Sequence, residues 1–215
     1  MKGRIAIFLH QPYCSVQSSN GIIEALNSQY SFKIFTRHEL ERDFFDDVDM
    51  VCFPGGLGDA NNFKFLTKEH KNAIRKFVRD GGAYLGICMG AYWAGSQYFN
   101  ILENVDAVQY IKRPKTDTRR PHAKNIEVTW NGKLERMYFY DGCSLVGNEN
   151  KFEIIARYKN GDPMAIMQNK IGLIGCHPES QQHWFESYSW MTGKYHGGKH
   201  HKLLLEFVNK LIAKK

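Results

Sequence analysis

The stretch YLGICMGAYWAG, Tyr84 to Gly95, decides how this chain is read. An apolar run, Ala83 to Cys88, has the length of a buried strand, and from Gly90 onward small and aromatic residues take the spacing of a helix. A cysteine stands at the junction, with Gly86 and Gly90 on either side. A lone cysteine commonly serves as a small buried hydrophobe. A strand that turns sharply into a helix around an exposed nucleophile, however, needs small flanking residues, because the two elements must pass close together. The same N-terminal turn would offer unpaired backbone N–H groups, which lower a thiol pKa and can hold an oxyanion.

Upstream, the pattern repeats as strand and helix. Ile5 to Leu9 is a continuous apolar run, Val16 to Leu26 has helical spacing, Phe32 to Phe35 and the segment DMVCFPGG (49–56) read as strands, and Leu66 to Val78 reads as a helix with Leu66, Ala73, Ile74, Phe77 and Val78 inward. The DGG at 80–82 ends that helix. Strands alternating with helices imply right-handed crossovers and a mostly parallel sheet covered on both faces. The expected fold is therefore α/β, doubly wound and flavodoxin-like, as a single domain over 1–215.

Downstream of Asn100 the rhythm changes. NIEVTW, RMYFYDG, EIIARY and PMAIMQN are short strand-like runs divided by Asn-Gly, Asp-Gly and Lys-Asn-Gly turns, so β-hairpins appended to the sheet are expected. The polar, proline-punctuated IKRPKTDTRRPHAKN between them reads as an exposed excursion. Ile171 to Cys176 gives a last strand leading into HPES, and KLLLEFVNKLIAKK gives an amphipathic helix.

Open parallel sheets place their sites at the C-terminal ends of strands. Three segments fall there: Pro54-Gly55-Gly56, Gly86 to Gly90, and His177-Pro178-Glu179. His177 and Glu179 are separated by one proline in extended backbone, which lets both side chains project to one side. A histidine base and a carboxylate that orients it are what a cysteine nucleophile requires. The expected catalytic set is Cys88, His177 and Glu179. Gly55, Gly56 and Met89 are expected to bring backbone N–H groups to a substrate, with Tyr92 shaping its pocket. Cys52 and Cys176 read as core residues, and Cys14, following the first strand, could approach the rim of the site. Tyr138, Phe139, Tyr140, Asp141 and Gly142 are expected to be structural, as a strand and its turn, with the Asp141-Gly142 turn able to reach the pocket.

Composition narrows the function classes. Five scattered cysteines without a CxxC pair indicate neither a disulfide framework nor a structural zinc site. His183, His196, His200 and His201 lack the spacing of a ligand set, so no metal and no cofactor are expected. A net charge of +7 is spread along the chain without a nucleic-acid motif, and no apolar run reaches the roughly 18 residues of a membrane span. The expected partners are thus a small-molecule substrate and a possible separate synthase or ligase chain, with no nucleic acid and no membrane, in the cytoplasm.

Residue types and their order resemble the class I glutamine amidotransferase-like superfamily, in which a cysteine elbow is followed much later by His-x-Glu. FPGG, GGAYLGICMGAYWAG and GCHPES are most similar to the N-terminal domain of biotin-protein ligases and its free-standing bacterial relatives, and this resemblance covers nearly the whole chain. It implies Cys88 as nucleophile, His177 as base and Glu179 as its partner. Two departures matter. The glycine- and arginine-rich biotin-adenylate loop of the ligase catalytic domain is missing, and Tyr92 stands where glutamine amidotransferases usually carry glutamine. The leading expectation is a cysteine amidase or acyl-transfer hydrolase. A binding module that keeps the elbow as a ligand pocket, and a glutaminase subunit of an amidotransferase, are the alternatives.

Overall fold

The computed structural model describes residues 1–39 and 44–213, and at 62, 63, 65–67 and 69 it describes the backbone, so the inward face expected of Leu66 lies outside the described residues. In chain order the first half runs β1 (Gly3–Phe8), α1 (Val16–Leu26), β2 (Tyr30–Phe35), β3 (Met50–Phe53), α2 (Lys64–Arg79), β4 (Ala83–Ile87) and α3 (Met89–Trp93). The second half runs β5 (Val105–Gln109), β6 (Lys124–Trp130), β7 (Lys133–Phe139), β8 (Cys143–Gly147), β9 (Glu153–Tyr158), β10 (Pro163–Gln168), β11 (Ile171–Ile174), α4 (Gln182–Glu186) and α5 (Lys199–Ala213).

Nine strands form one sheet in the order β2-β1-β3-β4-β11-β10-β9-β6-β7. From β2 to β11 neighbouring strands are parallel, and from β11 to β7 they are antiparallel. The expected hairpins thus extend the parallel sheet rather than sit beside it. The central strands are apolar at every position because both faces are covered. In β1, Ile5 and Ile7 join Ile22, Leu26, Leu204 and Phe207 beneath α1 and α5, whereas Ala6 and Phe8 join Ile74 and Trp93 beneath α2 and α3.

Three details depart from the sequence reading. The helix opened by the elbow is a single turn of five residues, Met89–Trp93. A separate two-stranded antiparallel sheet, β5 with β8, was not expected; its segments VDAVQ and CSLVG lie far apart in the chain with no turn joining them directly, so their pairing has no local signal. The segment 111–125 is tied down rather than free. Arg113 pairs with Asp162 at 2.7 Å, Tyr110 donates to Asp117, and Thr118 and Ala123 are buried.

Candidate active site

Cys88 ends β4 and caps α3 with φ 50° and ψ −103°. This is a backbone region that side chains other than glycine rarely occupy, and such strain gathers at functional positions. The neighbouring glycines are fixed by contact. A Cβ on Gly90 would stand 1.8 Å from the Phe53 carbonyl oxygen, and one on Gly86 would stand 2.5 Å from the Gly90 carbonyl oxygen. Ala91 and Tyr92 donate their N–H groups to the Cys88 carbonyl at 3.0 and 3.2 Å. Met89 and Gly90, at the first two positions, have no intrahelical acceptor, so two unpaired N–H groups stand next to the sulfur's residue, as the sequence leads one to expect.

His177 lies beyond β11, its backbone N–H donating to Tyr138 at the end of β7. Its Nδ1 is 2.9 Å from Glu179 Oε1, and both residues are buried. The same carboxylate oxygen accepts from the Ser18 hydroxyl at 2.7 Å, and Ser18 Oγ accepts the Gly55 N–H at 3.0 Å. A chain of hydrogen bonds therefore runs from the loop after β3, through the first turn of α1, to the histidine. It leaves His177 Nε2 for the cysteine, and an imidazole–thiol contact contributes to the titration of His177. The Gly55 Cβ position is 2.5 Å from the His177 ring and 3.4 Å from Cys88 Cβ, so Gly55 adjoins both reactive side chains. Gly56 is confined in another way, with its Cβ position 1.7 Å from the Tyr13 carbonyl oxygen.

Burial by itself disfavours a protonated His177. The Glu179 carboxylate and then the Cys88 sulfur outweigh it and raise the imidazole from 6.5 to about 10. Because the folded value lies above the unfolded one, the resulting stabilisation is fully present below pH 6.5 and is lost as pH rises through about 10. Thermal melts of wild type and His177→Gln across pH 6 to 11 should converge toward high pH, with a difference on the order of a few kcal/mol at the acid end. Parallel curves would refute that coupling.

Two cavities meet at this pair. The larger, about 790 Å³, is lined by Cys88, Gly56, Met89, Tyr92, Gln109 and Asp141. The smaller, about 330 Å³, is lined by His177, Gly55, Ser18, Tyr138, Trp184 and Tyr188, and Gly56, Leu57 and Tyr140 border both. Tyr92 is pinned by its hydroxyl, which donates to the Asp141 carbonyl at 3.2 Å. Another cavity, about 1090 Å³, lies at the other end of the strands beside Arg75, Arg79 and Lys170, away from these side chains.

The structure brings Cys88, His177, Glu179, Gly55, Gly56, Met89 and Tyr92 around one junction. It places Cys14 under the loop, fully buried and donating to the Pro54 carbonyl at 3.4 Å, so it does not reach the rim. Burial pushes the thiols of Cys14, Cys52, Cys143 and Cys176 well above their ordinary range. Two residues were missed as neighbours of the site: the Tyr140 carbonyl faces the Cys88 sulfur at 3.7 Å, and Ser18 bonds Glu179, while Asp141, whose turn could be expected to reach the pocket, does line the larger cavity. Ser18 had a signal: it shares a helical stripe with Ile22, Ala25 and Leu26, and a hydroxyl on an apolar stripe needs a buried partner. Among the described residues no group of three or more His, Cys, Asp or Glu could hold a metal, and no helix is long and apolar enough to cross a membrane.

Comparison with known proteins bears out the resemblance for the segment that holds FPGG and the cysteine motif, while GCHPES lies beyond the matched residues. Residues 12–109 match the family described as biotin-protein ligase, N terminal. An uncharacterized protein of Chlamydia muridarum is 29% identical over 154 residues, covering 60% of this chain and 58% of that protein's length. Among solved structures, PurLQS from Thermotoga maritima superposes with a TM-score of 0.68 at 14% identity over 98% of this chain and 99% of that one. A glutamine amidotransferase from the same organism gives 0.64 at 14% identity over the full length of both. A Thermoplasma acidophilum protein described as a GMP synthase subunit gives 0.66 at 14% identity, over 99% of this chain and 95% of that one. The fold is thus that of class I glutamine amidotransferases.

Proposed function

We propose that the chain acts as one domain, a cysteine-dependent amidase or acyl-transfer hydrolase. The observation that carries this reading is a cysteine held at positive φ beside a buried histidine–glutamate pair. In the reaction, the Cys88 thiolate attacks a substrate carbonyl carbon and a C–S bond forms. The bond to the leaving nitrogen or oxygen breaks as His177 Nε2 delivers its proton there. Water then attacks the thioester, His177 takes the water proton, and release of the acid restores the Cys88 thiolate beside a protonated His177. Backbone N–H groups of Met89 and Gly56 stabilise the oxyanion; the Gly55 N–H is engaged by Ser18, so its part is to let the imidazole approach.

A glutaminase that passes ammonia to a separate synthase or ligase chain is the second reading, favoured by the fold neighbours described as a glutamine amidotransferase and a GMP synthase subunit. Tyr92 weighs against it, because its fixed ring occupies the wall where that chemistry usually uses glutamine. The test combines labelling with turnover. Limiting iodoacetamide should modify Cys88 ahead of the four fully buried thiols, and a panel of substituted amides and esters should leave a transient acyl adduct on Cys88 by intact mass, with little ammonia released from glutamine. First labelling at Cys14 or Cys143 would remove the nucleophile assignment, while vigorous glutamine hydrolysis would install the second reading.

A further inference from the structure

The His177 side of the site is built for more than ammonia or water. The two cavities divide the reactive pair, with Cys88 on the wall of the larger and His177 on the wall of the smaller. In acyl transfer the group that receives the proton must lie within reach of the histidine, while the acyl carbon stays on sulfur. The larger cavity therefore holds the acyl part and the smaller one the leaving group. By microscopic reversibility the smaller cavity also admits whatever attacks the thioester.

At about 330 Å³ that cavity is many times the ~30 Å³ share of one water. Its walls carry Tyr138, Tyr140, Trp184 and Tyr188, with polar edges from Gln11 and Gln17. Trp184 stands edge-on to both His177 and Tyr138, with centroids 5.6 and 5.3 Å apart. The Trp184 side chain is buried, and among the described residues its indole Nε1–H has no acceptor. Aromatic walls favour ring edges and faces over small polar molecules.

We infer that the cavity beside His177 is a leaving-group subsite for an aryl or heteroaryl amine or alcohol, so that the substrate is an amide or ester of such a ring. This rests on the acyl-transfer reading, and the subsite is tested first without turnover. In Cys88→Ala protein, the Trp184 indole N–H resonance, assigned by its loss in Trp184→Phe, is followed during titration with aniline and with methylamine. Aniline should shift that resonance saturably with a Kd at least tenfold below that of methylamine. Tyr188→Ala, which removes one wall, should raise the aniline Kd at least fivefold. In the thiol-bearing protein the same substitution should lower kcat/KM for an anilide at least fivefold relative to the matching primary amide, which controls for any disturbance of His177. Equal binding of the two amines, or shifts confined to the Tyr92 side, would overturn the subsite even with turnover intact. Tight aniline binding without turnover of any anilide or ester would overturn its leaving-group role and, with it, the acyl-transfer reading.

Discussion

Replacing Cys88 by Ala, or His177 by Ala, is expected to lower kcat/KM on the preferred substrate by at least about 10⁴-fold, and the double variant by scarcely more. Residues that share one chemical step are strongly non-additive, since removing either disables the whole unit. Glu179→Gln should cost roughly a hundredfold less, because a carboxylate that orients the base still leaves nucleophile and imidazole in place. The glutamine amide oxygen can still accept from Ser18 and His177 where Oε1 does, so geometry survives better than charge. Ser18→Ala should follow Glu179→Gln in direction with a smaller effect, because it removes one donor from the same oxygen. Steady-state kinetics on the four single variants and the Cys88/His177 double variant decide the matter. Undiminished turnover in Cys88→Ala would end the covalent mechanism, and additive losses would show that the two side chains act in separate steps.

The second large effect is on folding. Gly90→Ala would bring a methyl group within 1.8 Å of the Phe53 carbonyl oxygen and 2.6 Å of its carbon, and Phe53 belongs to β3 between two paired neighbours. Backbone in a central strand has nowhere to yield, so a loss above about 4 kcal/mol is expected, enough to leave little folded protein. Gly132→Ala is the comparison. It sits at φ +76° with open space around it, so it should cost about 1 kcal/mol from backbone strain alone. Denaturant melts, with soluble yield for the poorer variant, measure both. Near-equal stability of the two would mean that the elbow is far more pliable than its contacts require.

Much of this arrangement was legible in the amino-acid pattern, for reasons that differ by residue. The continuous apolar runs of β1, β3 and β4 read as buried parallel strands because both faces of those strands are covered. The glycines around Cys88 were legible because close approach of strand and helix admits no side chain. His177 and Glu179 stood out through their spacing, and the structure joins them by a 2.9 Å contact. What stayed hidden depends on pairing across long separations. Nothing in VDAVQ announces that it will find CSLVG as a partner, so β5 and β8, and with them the position of Gln109 on the cavity wall, had no local signal. The Tyr140 carbonyl beside the sulfur is a backbone atom, and any residue type at that position would present one. The end of α3 had no local signal either, because it depends on Gly95 and Ser96 meeting Asp106 at the start of the small sheet.

The place of β11 between β4 and β10 has a consequence for how the protein comes into being. Synthesis is vectorial, and β4 with its cysteine is made more than eighty residues before the strand that must slot beside it. Until Ile171–Ile174 leaves the ribosome, one edge of β4 lacks its partner, and the histidine and glutamate that follow do not yet exist. The nascent chain therefore carries Cys88 without its base until His177 is added 89 residues later. Closure of the sheet and assembly of the site become one late event, so the emergence of a competent thiol reports that the chain has threaded its final strand.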